Sequence, residues 1–204
     1  MDRLIEGYRR FRATAWPEHR DRFEALAAQG QRPHALVVAC SDSRVDPQMI
    51  FNAAPGELFV IRNVANLVPP YAPDHLAHGT SAALEFAVRA LEVPRIVVMG
   101  HGLCGGCRAL LEPPPAPVDD FILPWVDLAA GARERALATG LEGEELLRAC
   151  EHEVVKLSLG NLRSFPWIRE AVDEGRLRLE GCWFNVMRGE LTRLGPGGFE
   201  TVRP

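Results

Sequence analysis

Five residues able to do metal and proton chemistry stand just beyond two short apolar runs. Ala35-Leu36-Val37-Val38 leads into Ala39-Cys40-Ser41-Asp42-Ser43-Arg44. Arg95-Ile96-Val97-Val98-Met99-Gly100 leads into His101, with Cys104 three residues further on. Short, β-branched apolar runs of this kind read as buried strands. Each strand then delivers its polar residues at its carboxyl end, where open α/β sheets bind their ligands. A thiolate–imidazole–thiolate set leaves tetrahedral Zn²⁺ one open position, as a catalytic site requires. The same soft donors disfavour a hard cation, which takes oxygen ligands. Taken singly, Cys40 would pass for a small buried hydrophobe and His101 for a strand-end residue bonded to backbone. Their joint placement at two strand ends favours a metal centre on Cys40, His101 and Cys104.

Asp42 and Arg44 would mean little as a surface salt bridge. A paired carboxylate two residues from a ligand has a use. Held ionised by Arg44, Asp42 can accept a hydrogen bond from a zinc-bound water and orient it. Zinc lowers the pKa of such a water to about 7, so a nucleophile exists at neutral pH. That assembly hydrates small electrophilic carbon. Cys107 leaves an alternative open. Cys104-Gly105-Gly106-Cys107 is a C-x-x-C, which fits a redox pair or a fourth structural ligand. Nothing thioredoxin-like surrounds it, and Cys107 is expected to start a helix and point into packing.

The elements that must carry these residues follow from the pattern. Residues 2–29 read as a helical arm broken at Trp16-Pro17, with Leu4, Ile5, Tyr8 and Phe11 forming an apolar stripe. A short helical piece is expected over 45–56, and a second strand over Leu58-Phe59-Val60-Ile61, followed by Arg62-Asn63-Val64-Ala65-Asn66. Helices are expected over 75–91, 119–139 and 142–163, and another from Phe165 to near Gly175. Glu112-Pro113-Pro114-Pro115-Ala116-Pro117 reads as a stiff loop. Leu177–Phe184 is strand-like, and Arg188-Gly189 turns it back into Glu190–Leu194. Strands alternating with helices imply an α/β fold, its central sheet mostly parallel, with an antiparallel edge strand and flanking helices. The chain shows no internal repeat and no linker, so residues 1–204 are expected to form one domain.

Composition excludes several classes of protein. The 204 residues carry a formal charge of -4 with no basic run, which argues against a nucleic-acid partner. No apolar run approaches the ~18 residues needed to span a membrane, and the amino terminus lacks a signal-like apolar core. Five cysteines, an odd number, do not suggest a secreted disulfide scaffold. A reducing cytoplasm with thiolates given to metal is the simpler expectation.

These motifs together resemble the β-class carbonic anhydrases. The resemblance runs through Cys40–Arg44, Arg62–Asn66, Gly100–Gly106, Ser158-Leu159-Gly160-Asn161-Leu162 and the strand at Gly181, nearly the whole chain. It implies one zinc per chain on Cys40, His101 and Cys104, with Asp42 and Arg44 as a catalytic dyad. It also implies reversible hydration of carbon dioxide to bicarbonate and a proton. Gln31, nine residues before Cys40, together with Phe59 and Gly105, is similar to the plant-like, open-site subtype. The bicarbonate-inhibited subtype has a tryptophan where this chain has Val37. Gln31, Phe59, Val64, Phe86 and Gly105 are thereby implied as substrate-pocket residues. Two positions depart from that pattern: Phe86 replaces a pocket tyrosine, and Ala90 replaces a histidine proposed to shuttle protons. The resemblance further implies a homodimer or higher homo-oligomer, with the arm (residues 1–29) embracing a neighbour and Gln31 serving the other subunit's zinc. The competing readings are a same-fold enzyme acting on carbonyl sulfide or carbon disulfide, a non-catalytic zinc-binding protein, and a thiol redox protein.

Overall fold

A computed structural model describes residues 1–112, 114 and 120–203 of the chain. The proline-rich stretch 112–117 lies for the most part outside them. The arm consists of α1 (Asp2–Ala13) and α2 (Ala15–Gln29). It breaks at Thr14, two residues earlier than the proline suggests. Pro17 is the third residue of α2, where a helical amide has no acceptor within the helix, so proline costs nothing there. Phe11, Trp16 and Phe23 pack the two helices together, with Trp16 and Phe23 ring centres 5.3 Å apart. Arg22 ties α2 to the body through the Pro55 carbonyl and Glu57. No residue of α1 or α2 is buried, and Leu4, Ile5 and Tyr8 face outward.

The body is one sheet. Strands β1 (Ala35–Cys40), β2 (Leu58–Asn63), β3 (Arg95–His101), β4 (Arg178–Asn185), β5 (Glu190–Gly195) and β6 (Gly198–Thr201) lie in the order β2-β1-β3-β4-β5-β6. The first four are parallel to their neighbours, and β5 and β6 add antiparallel strands at one edge. This is the expected α/β architecture, with β6 as an addition. Gly195-Pro196-Gly197-Gly198 closes a tight hairpin that pairs Leu194 with Phe199.

Every residue of β1 is buried, because helices cover both faces of the sheet. Val37 and Ala39 join one core, with Leu110 of α5 (Gly105–Leu111), Val126 of α6 (Ile122–Asp127) and Ala132 of α7 (Ala130–Leu137). Leu36 and Val38 join the other, with Phe165 and with Ile168 of α9 (Pro166–Asp173). The long helix α8 (Gly143–Leu162) feeds both, through Val154 on one side and Val155 on the other. Each such aliphatic side chain contributes about 1.5–3 kcal/mol on burial, so the strand that ends on Cys40 is firmly held.

Three helical expectations change in detail. The 45–56 piece reduces to α3 (Pro47–Ile50), capped by Asp46, whose Oδ1 accepts from the Gln48 and Met49 amides. The 75–91 helix starts only at Gly79 as α4 (Gly79–Glu85) and ends in a π turn over Phe86–Ala90. The 119–139 helix is two, α6 and α7, separated at Leu128 and Ala129.

Candidate metal centre

Parallel pairing puts the ends of β1 and β3 side by side. Ala39 is in register with Met99, so Cys40 and the residues after Gly100 emerge at the same level. Gly100 lets β3 lie against α8: a Cβ there would meet Val155 Cγ2 at 2.6 Å. Beyond His101 the chain makes a tight turn through Leu103, a non-glycine residue at φ +57°, before α5 begins with Cys104 as its N-cap. Such left-handed backbone is costly and persists only where the surroundings hold it.

The turn brings Cys40, His101 and Cys104 together, with one donor atom from each lying within 4.8 Å of the others. The two sulfurs are 4.0 Å apart. Two Zn–S bonds of ~2.3 Å at a tetrahedral angle would separate them by about 3.8 Å. His101 is fully buried, and its Nδ1 lies 2.9 Å from the Gly102 carbonyl, to which it donates. That bond leaves the Nε2 lone pair free, and Nε2 is a buried nitrogen with no hydrogen-bond partner among the described residues. An orphaned imidazole nitrogen facing two cysteine sulfurs is a donor set that fits zinc. Cys104 is drawn down to about 4 by hydrogen bonds from the Cys107 and Cys40 thiols, aided by the first amides of α5. Cys40 is pushed up to about 12 by its bond to Cys104 and by burial. A cation at their centre favours both thiolates.

Asp42 does not join this donor cluster. Its carboxylate is taken by Arg44 as a fork: Oδ1 accepts from Nε at 3.0 Å and Oδ2 from Nη2 at 2.7 Å. The Arg44 amide adds a third bond at 2.9 Å. Those bonds hold the carboxyl well below the usual range, so it is an acceptor at any ordinary pH. Arg44 Nη2 also reaches the Leu103 carbonyl at 3.1 Å, which links the dyad to the second ligand loop.

Of the remaining expected site residues, Val64 and Gly105 lie beside the centre. The turn at Val64 and Ala65 packs on the start of α5, where a Cβ on Gly106 would meet Val64 Cγ1 at 2.7 Å. Among the described residues, apart from its chain neighbours and its own helix backbone, nothing lies within 4 Å of a Cβ built on Gly105. Gln31, Phe59 and Phe86 are not brought to the centre of their own chain. Phe59 is in register with Leu36, four residues before Cys40, or ~13 Å down the sheet. Phe86 lies 6.0 Å from Phe59, and Gln31 precedes β1 altogether. Cys107 is buried, and its thiol is pushed well above its usual range by bonds to Cys104 and Cys150 and by burial. All five cysteines are free, so Cys104 and Cys107 form no disulfide.

Two charged residues at the centre were not singled out from sequence. Arg62, at the end of β2, donates to the Cys40 carbonyl at 3.0 Å, the Asp42 carbonyl at 2.6 Å and the Asp46 carboxylate at 3.1 Å. Glu151 of α8 is 2% exposed, accepts from the Cys104 amide at 2.9 Å and from the Trp183 indole at 3.0 Å, and is pushed up by burial. The available signal for Glu151 was its position in α8: it shares a face with Leu147, Val154, Val155 and Ser158, all buried.

The comparisons with known proteins agree with this geometry. A family described as carbonic anhydrase matches residues 35–191. A carbonic anhydrase of Synechococcus elongatus is 37% identical over 95% of this chain and 71% of its own length. β-Carbonic anhydrase 3 of Arabidopsis thaliana is 37% identical over 93% of this chain and 74% of its own. Among solved structures, the β-carbonic anhydrase CcaA superposes with a TM-score of 0.92 at 37% identity, covering 100% of this chain and 99% of that one. A tetrameric β-carbonic anhydrase of Sordaria macrospora gives 0.83 at 28% identity over 95% and 96%. With two strand ends converging on a Cys-His-Cys cluster, this chain belongs to the β-class carbonic anhydrases and catalyses the reversible hydration of carbon dioxide to bicarbonate and a proton.

Proposed function

We propose that the reaction runs on one Zn²⁺ held by Cys40, His101 and Cys104, with Asp42 and Arg44 as the working dyad. The observation that carries this reading is the Arg44 fork, which occupies Asp42 and leaves Cys40, His101 and Cys104 as the three clustered soft donors. Zinc there would lower the pKa of a bound water to about 7 and so supply the nucleophile at neutral pH. Asp42, with no proton of its own to give, offers only acceptor oxygens, and so orients the attacking oxygen by the hydrogen bond it accepts. Arg44, spent on Asp42 and Leu103, is kept from competing for that oxygen. Val64 and Gly105 leave an apolar, open approach suited to a small neutral molecule. Phe86 and Ala90 supply neither a hydroxyl nor an imidazole, so proton export falls to buffer or to another group. Stopped-flow hydration of carbon dioxide, with zinc measured on the same sample, tests this: activity is expected in proportion to zinc, near one per chain. Activity without zinc would overturn it. Hydrolysis of carbonyl sulfide, assayed in parallel, is expected to be minor.

We also read residues 1–204 as one domain that works as a homodimer or larger assembly. Tetramers among the solved relatives support this, as does the outward apolar stripe of α1. Gln31, Phe59 and Phe86 would then complete the pocket of a partner's centre, and Gly105 and Val64 that of their own. Removing residues 1–14 should weaken the dimer, and sedimentation velocity would detect it. A truncated chain that remains dimeric with unchanged stability would end the embracing-arm reading. Five buried, unpaired thiols support a reducing compartment, the cytoplasm.

A further inference from the structure

We propose that Glu151 is a positioning residue for the metal centre, acting through the backbone of Cys104; the inference rests on the zinc assignment above. A buried carboxylate without a cation is costly, and no salt bridge reaches Glu151 among the described residues. Its two oxygens are instead divided between two fixed donors. Oε1 takes the amide of Cys104, and Oε2 takes the indole N–H of Trp183 on β4. The helix that carries it is locked into both cores on either side of the sheet. The carboxylate is therefore a strut of fixed length and orientation from α8 to the β3–α5 turn.

That turn needs a strut. It holds two of the three metal donors, it passes through Leu103 in a left-handed conformation, and its Cys104 amide is the first of α5 with no helical acceptor. The bond to Glu151 satisfies that amide and fixes where the Cys104 sulfur starts from. One residue earlier, the Leu103 carbonyl accepts from Arg44. A shift of the turn would thus move a ligand and one end of the dyad together. Outer-shell partners of metal ligands act in this way on affinity, typically by 10–100-fold.

The test uses zinc release to a chromogenic chelator, read beside the thermal melt of the metal-free protein. In Glu151→Gln the shape is kept, but the new NH₂ must face either the Cys104 amide or the Trp183 indole, donor against donor. Release should quicken by about 10-fold or more. Trp183→Phe alone should release zinc at close to the wild-type rate. In the double variant Glu151→Gln/Trp183→Phe the NH₂ has no donor to oppose, so the amide oxygen can face Cys104 and release should return to the Trp183→Phe rate. A purely structural role would lower the melts and leave these rates in step with one another. Wild-type release from Glu151→Gln overturns the proposal, and so does a double variant as fast as Glu151→Gln. Should Glu151→Gln fail to fold, the double variant against Trp183→Phe decides by the same criterion. Wild-type protein without zinc would fail the metal assignment itself, and this inference with it.

Discussion

The two ligand loops are built on opposite plans. The loop after β1 brings one candidate donor, Cys40, and the Asp42–Arg44 pair, and it opens to solvent: the Arg44 side chain is 45% exposed. Its carbonyls converge on a cation, Arg62. The loop after β3 brings two of the candidate donors, His101 and Cys104, and it is closed: both are buried, and an amide of the loop converges on a carboxyl group, Glu151. The difference separates two tasks. On the proposed zinc assignment, the buried loop would decide whether metal is held, and the open loop what the bound water does. Substitutions in each should therefore fail in different ways.

The largest effect is expected from the buried loop. Cys104→Ser replaces an anionic ligand by a neutral hydroxyl, so zinc and activity should disappear together. Elemental analysis of the purified variant checks this. A variant that keeps stoichiometric zinc would show that Cys104 is not a ligand.

The open loop should fail without losing metal. Asp42→Asn keeps the shape but removes the charge that Arg44 grips at both oxygens. Asparagine can donate where an acceptor is needed, and it frees Arg44 to reach for the reacting oxygen. Turnover should fall by about 10²-fold or more, the scale of a positioned catalytic group. Because the wild-type carboxyl titrates far below neutrality, the wild type should show no Asp42-linked loss between pH 6 and 9, and the variant's deficit should be uniform across that range. Near-normal turnover with full zinc would reduce the dyad to a surface ion pair.

The same contrast explains what could be read from sequence. Cys40, Asp42, Arg44, His101 and Cys104 were legible because strand ends in a parallel sheet are reliable addresses and those residue types have few other uses together. Glu151 was not, because a glutamate in an amphipathic helix is ordinarily a solvated residue, and only the helical count from Leu147 to Val154 puts it inside. Arg62 was hidden for the opposite reason: its motif was visible, but backbone carbonyls as partners leave no trace in sequence. Gln31, Phe59 and Phe86 have sequence positions that suit a pocket, yet strand direction carries Phe59 away from its own Cys40. The break at Thr14 and the final strand β6 were missed at proline and glycine, residues that punctuate structure without saying whether they open or close it.

The smallest effect is expected from the second cysteine after β3, and it sharpens the contrast most. Cys107 lies one helical turn after Cys104, as close in sequence to a ligand as His101 is. Sequence alone left it a ligand, a redox partner or a packing residue. In the fold it is the third residue of α5 and is buried, its thiol pushed up by its bonds to Cys104 and Cys150 and by burial. Its sulfur is not among the donors that Cys40, His101 and Cys104 bring within 4.8 Å of one another, so it packs behind the centre. Serine can make the same bonds from nearly the same place, with a shorter reach and a more polar group. Cys107→Ser should therefore keep zinc at one per chain and turnover within about a factor of three, with a stability loss of about 1 kcal/mol from the altered packing. Zinc content, hydration rate and a urea titration on one preparation measure all three. Zinc loss in this variant, with Cys104 intact, would mean that the closed loop supplies three ligands and that the centre has no open position for water.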